Sequence, residues 1–273
     1  MDYRQVSNWQ KLPCLQNLLD LSTPPKQLYY CGKWNPEIFE NCAAVVGSRK
    51  ITDYGQRAAE KVIVNLVSRG MTVVSGFMYG VDQYAHHACC NQGGKTVAVL
   101  GWGIKTKLTG EDLKLAQKII SSGGLLLSEW EDQKASHWTF PARNRIVAAL
   151  SKEIVVIEAA QNSGSLITAR LALRLKRKLW AVPGPITSRT SVGTNNLIAE
   201  GLAQMWLGGE APLNLIQTDN PILQILENES FSADEVARKL NLPVSEIGSE
   251  LSLLLLSGIV SEKGGKYFLT DVS

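Results

Sequence analysis

Ala43-Ala44-Val45-Val46-Gly47-Ser48-Arg49-Lys50 runs an apolar stretch directly into a small-residue turn that ends in two cations, and a segment of helical period begins near Asp53. A short apolar run without polar alternation is the mark of a strand buried on both faces of a parallel sheet. The turn after such a strand opens toward the crevice where α/β sheets bind ligands. Gly47 lets the backbone come close, Ser48 offers a hydroxyl, and Arg49 offers a planar fork matched to phosphate oxygens, with Lys50 beside it. The stretch predicts an α/β fold with an anion site at one strand exit.

Working outward, further short β-branched or apolar runs lie at 72–76, 96–101, 124–130, 153–159, 179–184 and, weakly, 204–207. They alternate with segments of helical period, which implies a mostly parallel sheet covered by helices on both faces, spanning 43–208. In the first of these helices Ala58, Val62 and Leu66 with Ala59, Ile63 and Val67 recur at four-residue intervals, and Gly70 ends it. Residues 209–219 break the pattern as a linker. Beyond them, at 220–273, a short helix at 221–226, a helix opened by the Ser232–Glu235 capping box, a third begun by Pro243 and closed by Gly258, and a hairpin around Gly264-Gly265 describe a winged helix. Residues 1–42 are the least legible part, a lead-in expected to pack on the main domain, with a helix at 9–19 and a turn at Pro24-Pro25.

Bulk properties bound the function. With 273 residues, 45% of them hydrophobic, the chain can bury one sizeable core plus a small module. A net charge of +3 does not announce a nucleic-acid binder by itself, so any basic surface is local. No apolar run approaches the roughly eighteen residues that span a bilayer, and the N-terminus lacks a signal peptide's order of charges, so the expectation is a cytoplasmic protein without a membrane partner. Five cysteines lack the paired spacing of a zinc site and are expected to be free thiols, with Cys89 and Cys90 as small packing groups in a helix.

Most strand exits carry glycine or small polar residues: Gly47-Ser48, Ser75-Gly76, Gly101-Trp102-Gly103 and Pro183-Gly184. In an open sheet these exits share one edge, so the turns are expected to converge on one cleft. Phe140-Pro141-Ala142-Arg143-Asn144-Arg145 places two arginines and an amide at a helix start, where cations oppose the macrodipole unless an anion sits nearby. The spacing leaves open which arginine faces the cleft and which pairs with an acid. Ser163-Gly164-Ser165, followed by Thr168, opens another helix whose first N–H groups and hydroxyls suit a phosphate. Residues 143–178 hold eight cations against two acids, a local charge of +6. Gly193-Thr194-Asn195 after Pro183-Gly184-Pro185 is expected to add a wall to the same cleft. Catalytic candidates are few. Asp82 and His86, four apart, are expected to pin a helix as a hydrogen-bonded pair, and Glu129 and Glu158 lie near strand ends. There is no P-loop and no complete dinucleotide fingerprint, so binding without chemistry and without a cofactor is the preferred reading.

These motifs together resemble the bacterial DNA-processing protein A family, DprA/Smf. The resemblance covers residues 23 to about 207 and rests on Gly47-Ser48-Arg49, Ser75-Gly76 with Gly80-Val81-Asp82 and Ala85-His86, Leu126 to Glu129, Phe140 to Ile146, Ser163 to Thr168, Val182-Pro183-Gly184 and Gly193-Thr194-Asn195. It implies an extended Rossmann-like fold, single-stranded DNA as ligand, a homodimer, and the loading of a RecA-type recombinase onto incoming DNA in natural transformation, without catalysis. The implied DNA contacts are Gly47, Ser48, Arg49 and Lys50; Ser75 and Gly76; Phe140, Arg143, Asn144 and Arg145; Ser163, Gly164, Ser165 and Thr168; and Gly184, Thr194 and Asn195. Two other readings compete. One is a Rossmann-like hydrolase of nucleoside monophosphates, with Glu129 or Glu158 as its acid. The other makes the winged helix a reader of duplex DNA, although its presumed recognition helix carries Glu246 and Glu250 and no Lys or Arg.

Overall fold

The computed structural model describes residues 2–208, 221–226, 229–256 and 260–269. The chain forms two compact units, Met1–Ala211 and Pro212–Ser273. In the first, the strands in chain order are β1 (Tyr3–Gln5), β2 (Tyr29–Gly32), β3 (Cys42–Val46), β4 (Thr72–Ser75), β5 (Thr96–Val99), β6 (Leu125–Ser128), β7 (Glu153–Val156), β8 (Lys178–Ala181) and β9 (Gln204–Met205). Between them run α1 (Asp53–Ser68), α2 (Val81–Asn91), α3 (Gly110–Ser121), α4 (Thr139–Leu150), α5 (Ser165–Arg174) and α6 (Val192–Ala199). The sheet order is β1-β2-β6-β5-β4-β3-β7-β8-β9, parallel from β6 through β9.

Successive strand residues face opposite sides, which sorts the core into two layers. Ala44, Val46, Val74, Ile154 and Val156 pack against Ile146, Val147 and Leu150 of α4 and Ala169 and Ala172 of α5. Ala43, Val45, Val73 and Val155 pack against Ala59, Val62, Ile63 and Leu66 of α1 and Val81, Ala85 and Cys89 of α2. Helix α1 starts where the Thr52 side chain accepts from the Gly55 N–H at 3.1 Å, and the chain leaves it through Gly70.

The first 42 residues do more than lead in. β2 pairs antiparallel with β6, from Tyr29 opposite Ser128 to Gly32 opposite Leu125, and β1 adds a further antiparallel strand. In place of an α-helix at 9–19 there are two 3₁₀ helices, Trp9–Lys11 and Pro13–Asp20. Pro13 is the reason: it holds Leu12 in an extended conformation and has no N–H to continue the ladder. Leu15 and Leu18 are nonetheless fully buried against the sheet.

The second unit is a winged helix. Helices α7 (Pro221–Leu226), α8 (Ala233–Leu240) and α9 (Val244–Leu256) precede the hairpin β10 (Val260–Lys263) and β11 (Lys266–Leu269), around Ile222, Leu226, Val236, Ile247, Leu251 and Val260. The capping box forms: Ser232 Oγ accepts from Glu235 N at 3.3 Å, and Glu235 Oε2 from Ser232 N at 2.7 Å. The linker read at 209–219 and the helix end at Gly258 lie outside the described residues. Among those residues no helix is long and apolar enough to cross a membrane. All five cysteines are free, and burial pushes the Cys42 and Cys89 thiols up to about 12, leaving them packing groups at neutral pH.

Candidate nucleic-acid interface

The strand order reverses at β3. From it the chain steps outward through β4, β5 and β6, then returns to place β7 on the other side of β3. The carboxyl ends of β3 and β7 therefore flank a crevice that no crossover fills, the usual ligand position in such sheets. A cleft of about 700 Å³ opens there, bounded by the exits of β3, β4 and β7 and the start of α4.

The turn after β3 is held from below. Val81 N donates to Ser48 O at 3.0 Å, and a Cβ on Gly80, whose φ is +81°, would stand 2.2 Å from that oxygen and 2.5 Å from the Arg49 carbonyl carbon. Only glycine fits under the turn. Ser48 Oγ accepts from Lys50 N at 3.0 Å and donates to Lys50 O at 2.9 Å, so this hydroxyl is engaged within its own turn. The Ser48 and Arg49 amides have no acceptor among the described residues. Arg49 is exposed, and its guanidinium carbon lies 5.2 Å from the centroid of the Phe140 ring, a cation–π contact that presents the fork in the cleft. Lys50 is exposed but does not line the cleft.

The two arginines of α4 divide. Helix α4 begins at Thr139, so Arg143 lies in its second turn and is buried, with 3% of its surface exposed. Its Nη1 donates to Val99 O, its Nε to Asn144 Oδ1 at 3.1 Å, and its Nη2 lies 3.8 Å from Asp82 Oδ2. Burial raises the Asp82 pKa, and Arg143 partly opposes that rise. Gly76 makes room for this pair, since a Cβ there would meet Asp82 Oδ2 at 2.1 Å and Arg143 Nη1 at 2.3 Å. Arg145 turns away: Nη2 contacts both oxygens of Glu129 at 2.6 and 2.7 Å and does not line the cleft. The charge at the helix start is thus answered by acids of the fold. Arg177 is likewise paired, with Asp20 at 2.8 Å, which reduces the local excess of cations. The expected Asp82–His86 pair is absent. His86 instead donates from Nε2 to Gly76 O at 2.7 Å, and its Nδ1 lies 2.7 Å from Thr96 Oγ1. Burial holds its pKa down at about 4.

On the β7 side, Ser163, Gly164, Ser165 and Thr168 line the cleft with Asn144 and Phe140. The N–H groups of this helix start are not free donors: Ser165 N donates to Ser163 Oγ at 3.3 Å, Leu166 N to Ser163 O at 3.1 Å and Ile167 N to Gly164 O at 3.1 Å. The polar edge there holds the Ser163 and Ser165 hydroxyls, 2.8 Å apart, beside the exposed Gln161 and Asn162. Besides Lys50 and Arg145, four more expected contacts lie elsewhere. Ser75 is fully buried and donates to Val45 O at 2.6 Å. Thr194 is fully buried and donates to Ser191 O at 3.0 Å. Asn195 clamps Gly184, accepting from its N–H and donating to its carbonyl, both at 3.0 Å. None of the four lines the cleft. These groups shape the exit loops by using their polar atoms within the fold.

The sequence reading did not nominate Tyr79, His137 or Arg189, which also line the cleft. Arg189 arrives on the long β8 exit loop. Its neighbour Thr190 donates to Glu158 Oε1 at 3.0 Å, and Glu158 also accepts from Thr52 N at 3.0 Å and Thr52 Oγ1 at 2.6 Å. That buried carboxylate ties this loop to the start of α1.

Over residues 8–217 the chain matches the family described as DNA recombination-mediator protein A, and over 210–266 the DprA winged helix domain. Protein Smf of Escherichia coli K12 is 36% identical over 249 residues, 82% of this chain and 66% of that protein. The X-ray structure of DNA processing protein A from Streptococcus pneumoniae is similar with a TM-score of 0.69 at 35% identity, covering 78% of this chain and 74% of that one. The solved structure of DNA processing protein A from Helicobacter pylori, described for its single-stranded DNA binding mode, gives a TM-score of 0.68 at 29% identity over 80% of this chain and 97% of that one. The chain spans 66% or less of the length of the curated relatives it matches.

Proposed function

We propose, because the chain belongs to the DNA recombination-mediator protein A family, that the cleft at the β3–β7 switch point binds single-stranded DNA without sequence selection. The observation that carries this reading is Arg49, an exposed guanidinium set on the Phe140 ring beside the two unbonded amides of its turn. A phosphate placed there meets a charged fork and two amide donors. Arg189 and the Ser163 and Ser165 hydroxyls extend the polar lining. Arg143 acts from below, shaping the floor and contributing charge without leaving its buried position. The same reading takes the protein as a cytoplasmic homodimer that passes its strand to a RecA-type recombinase in natural transformation or recombination. The recombination step draws its support from the family's description as a recombination mediator.

The positions of its two candidate acids weigh against the hydrolase reading. Glu129 is held by Arg145, and Glu158 accepts three hydrogen bonds; neither lines the cleft. Incubation with nucleoside monophosphates is expected to release no free base. For DNA binding, the test is titration of oligo-dT across a salt series with the wild type and Arg49→Ala. Affinity should fall with a slope of about −0.7 in log K per neutralised phosphate, and the variant should bind roughly tenfold more weakly with a slope shallower by about 0.7. Unchanged affinity and slope in the variant would refute the assignment.

A further inference from the structure

Aromatic rings left in water are uncommon on this protein. Of the Phe, Tyr and Trp side chains whose burial is described, only Tyr79, 64% exposed, and Trp138, 56% exposed, fall in the exposed class. One lines the cleft, and the other is next in the chain to a residue that does. Tyr79 lines the cleft on the turn between β4 and α2, and Trp138 stands at the start of α4 between the cleft-lining His137 and Phe140. Trp138 is also held in position. Its ring meets Trp130 edge to face, with centroids 5.7 Å apart and planes at 84°. Trp130 is anchored in turn, its N–H donating to Ser128 Oγ at 3.1 Å and its carbonyl accepting from Ile104 N at 2.9 Å. A ring fixed in place yet more than half solvated loses little freedom when a flat partner lies on it.

We propose that Tyr79 and Trp138 are stacking platforms for unpaired nucleobases of the strand whose phosphate meets Arg49. The inference rests on reading the cleft as a single-stranded DNA site and deepens it. The chemistry argues for a polynucleotide in particular. Exposed Tyr79 lines the cleft with Arg49 and Arg189, neither of which is salt-bridged among the described residues, and exposed Trp138 follows the lining residue His137 in the chain. A strand with phosphates between flat bases matches that alternation of charge and ring. A simple polyanion would need only the cations.

The test compares oligo-dT with an abasic deoxyribose-phosphate chain of the same length, which keeps every phosphate and removes every base. Tyr79→Ala and Trp138→Ala are each expected to weaken oligo-dT binding roughly fivefold or more and to leave abasic binding unchanged. Trp138→Phe should restore most of the affinity while removing the part of the tryptophan emission that oligo-dT quenches in the wild type. Thermal melting of each variant identifies any loss of fold, and the Phe variant decides the case if the Ala variant melts early. Equal losses on both ligands, no loss on oligo-dT, or identical quenching with and without Trp138 would overturn the proposal. Failure of the DNA reading itself looks different, because Arg49→Ala would then leave binding of both ligands intact.

Discussion

Arg143→Ala separates a structural cation from a binding one. The side chain is buried and keeps Asp82 company at 3.8 Å, while its Nη1 satisfies the Val99 carbonyl. Its removal leaves a largely buried carboxylate without its nearest cation and the Val99 carbonyl without this donor. Breaking a buried ion pair on one side costs about 3 to 5 kcal/mol. At 3.8 Å the pair is loose, so the lower end, about 3 kcal/mol, is the expectation. For a unit of this size that corresponds to a fall in Tm of roughly 6 to 12 °C. The loss should grow with pH. Burial already raises the Asp82 pKa above the unfolded value, and without Arg143 it rises further. A carboxyl whose folded pKa is raised is most favourable to folding below its unfolded pKa and loses that contribution as pH climbs through the folded value. Urea unfolding at mildly acidic and mildly alkaline pH should therefore show a larger deficit on the alkaline side. Asp82→Asn in the same background should recover part of it, because no buried charge remains. A deficit below about 0.5 kcal/mol, or no rescue by Asp82→Asn, would refute the reasoning. Arg49→Ala provides the contrast, with weaker DNA binding and stability within about 0.5 kcal/mol of the wild type.

Two further outcomes follow from the same geometry. Gly80→Ala must place a Cβ against Ser48 O at a residue with φ of +81°, so it should cost about 1 to 3 kcal/mol and weaken oligo-dT binding by shifting the Arg49 turn; wild-type melting and affinity together would contradict this. His86, held neutral to about pH 4, makes a contribution to stability that is whole above its ordinary pKa of 6.5 and is lost as pH falls toward 4. The unfolding free energy should drop through that window by up to about 1.4 kcal/mol per pH unit from this group, and a His86→Gln variant with the same slope would show that burial is not its source.

Much of the architecture was legible because its signals are local. Parallel strands buried on both faces read as unbroken apolar runs, and all seven anticipated strands of 43–208 are present within a few residues of their expected bounds. The capping box at Ser232 is satisfied by neighbours three residues apart, so the sequence reading identified it directly. The turn at Gly47-Ser48-Arg49 was recognisable for the same reason. β1 and β2 escaped notice because each is short and gains its hydrogen bonds from distant chain, Tyr29 from the region of Ser128. The 3₁₀ form of 9–20 had a local cause in Pro13, which apolar spacing alone does not register.

What the amino-acid order alone determined was periodicity, turn chemistry and therefore where the cleft would open. Which side chains serve that cleft was settled by the tertiary structure, because a polar group's role depends on which partner reaches it first. Arg145 was claimed by Glu129 and Asn195 by Gly184, whereas no acid among the described residues took Arg49 in an ion pair. His86 lay at the right spacing for Asp82 but found Gly76 and Thr96, residues brought near only when β4 and β5 pair beneath α2. In a buried setting an unmet donor or charge is costly, so such assignments are enforced by packing across the sheet, and chain spacing cannot specify them.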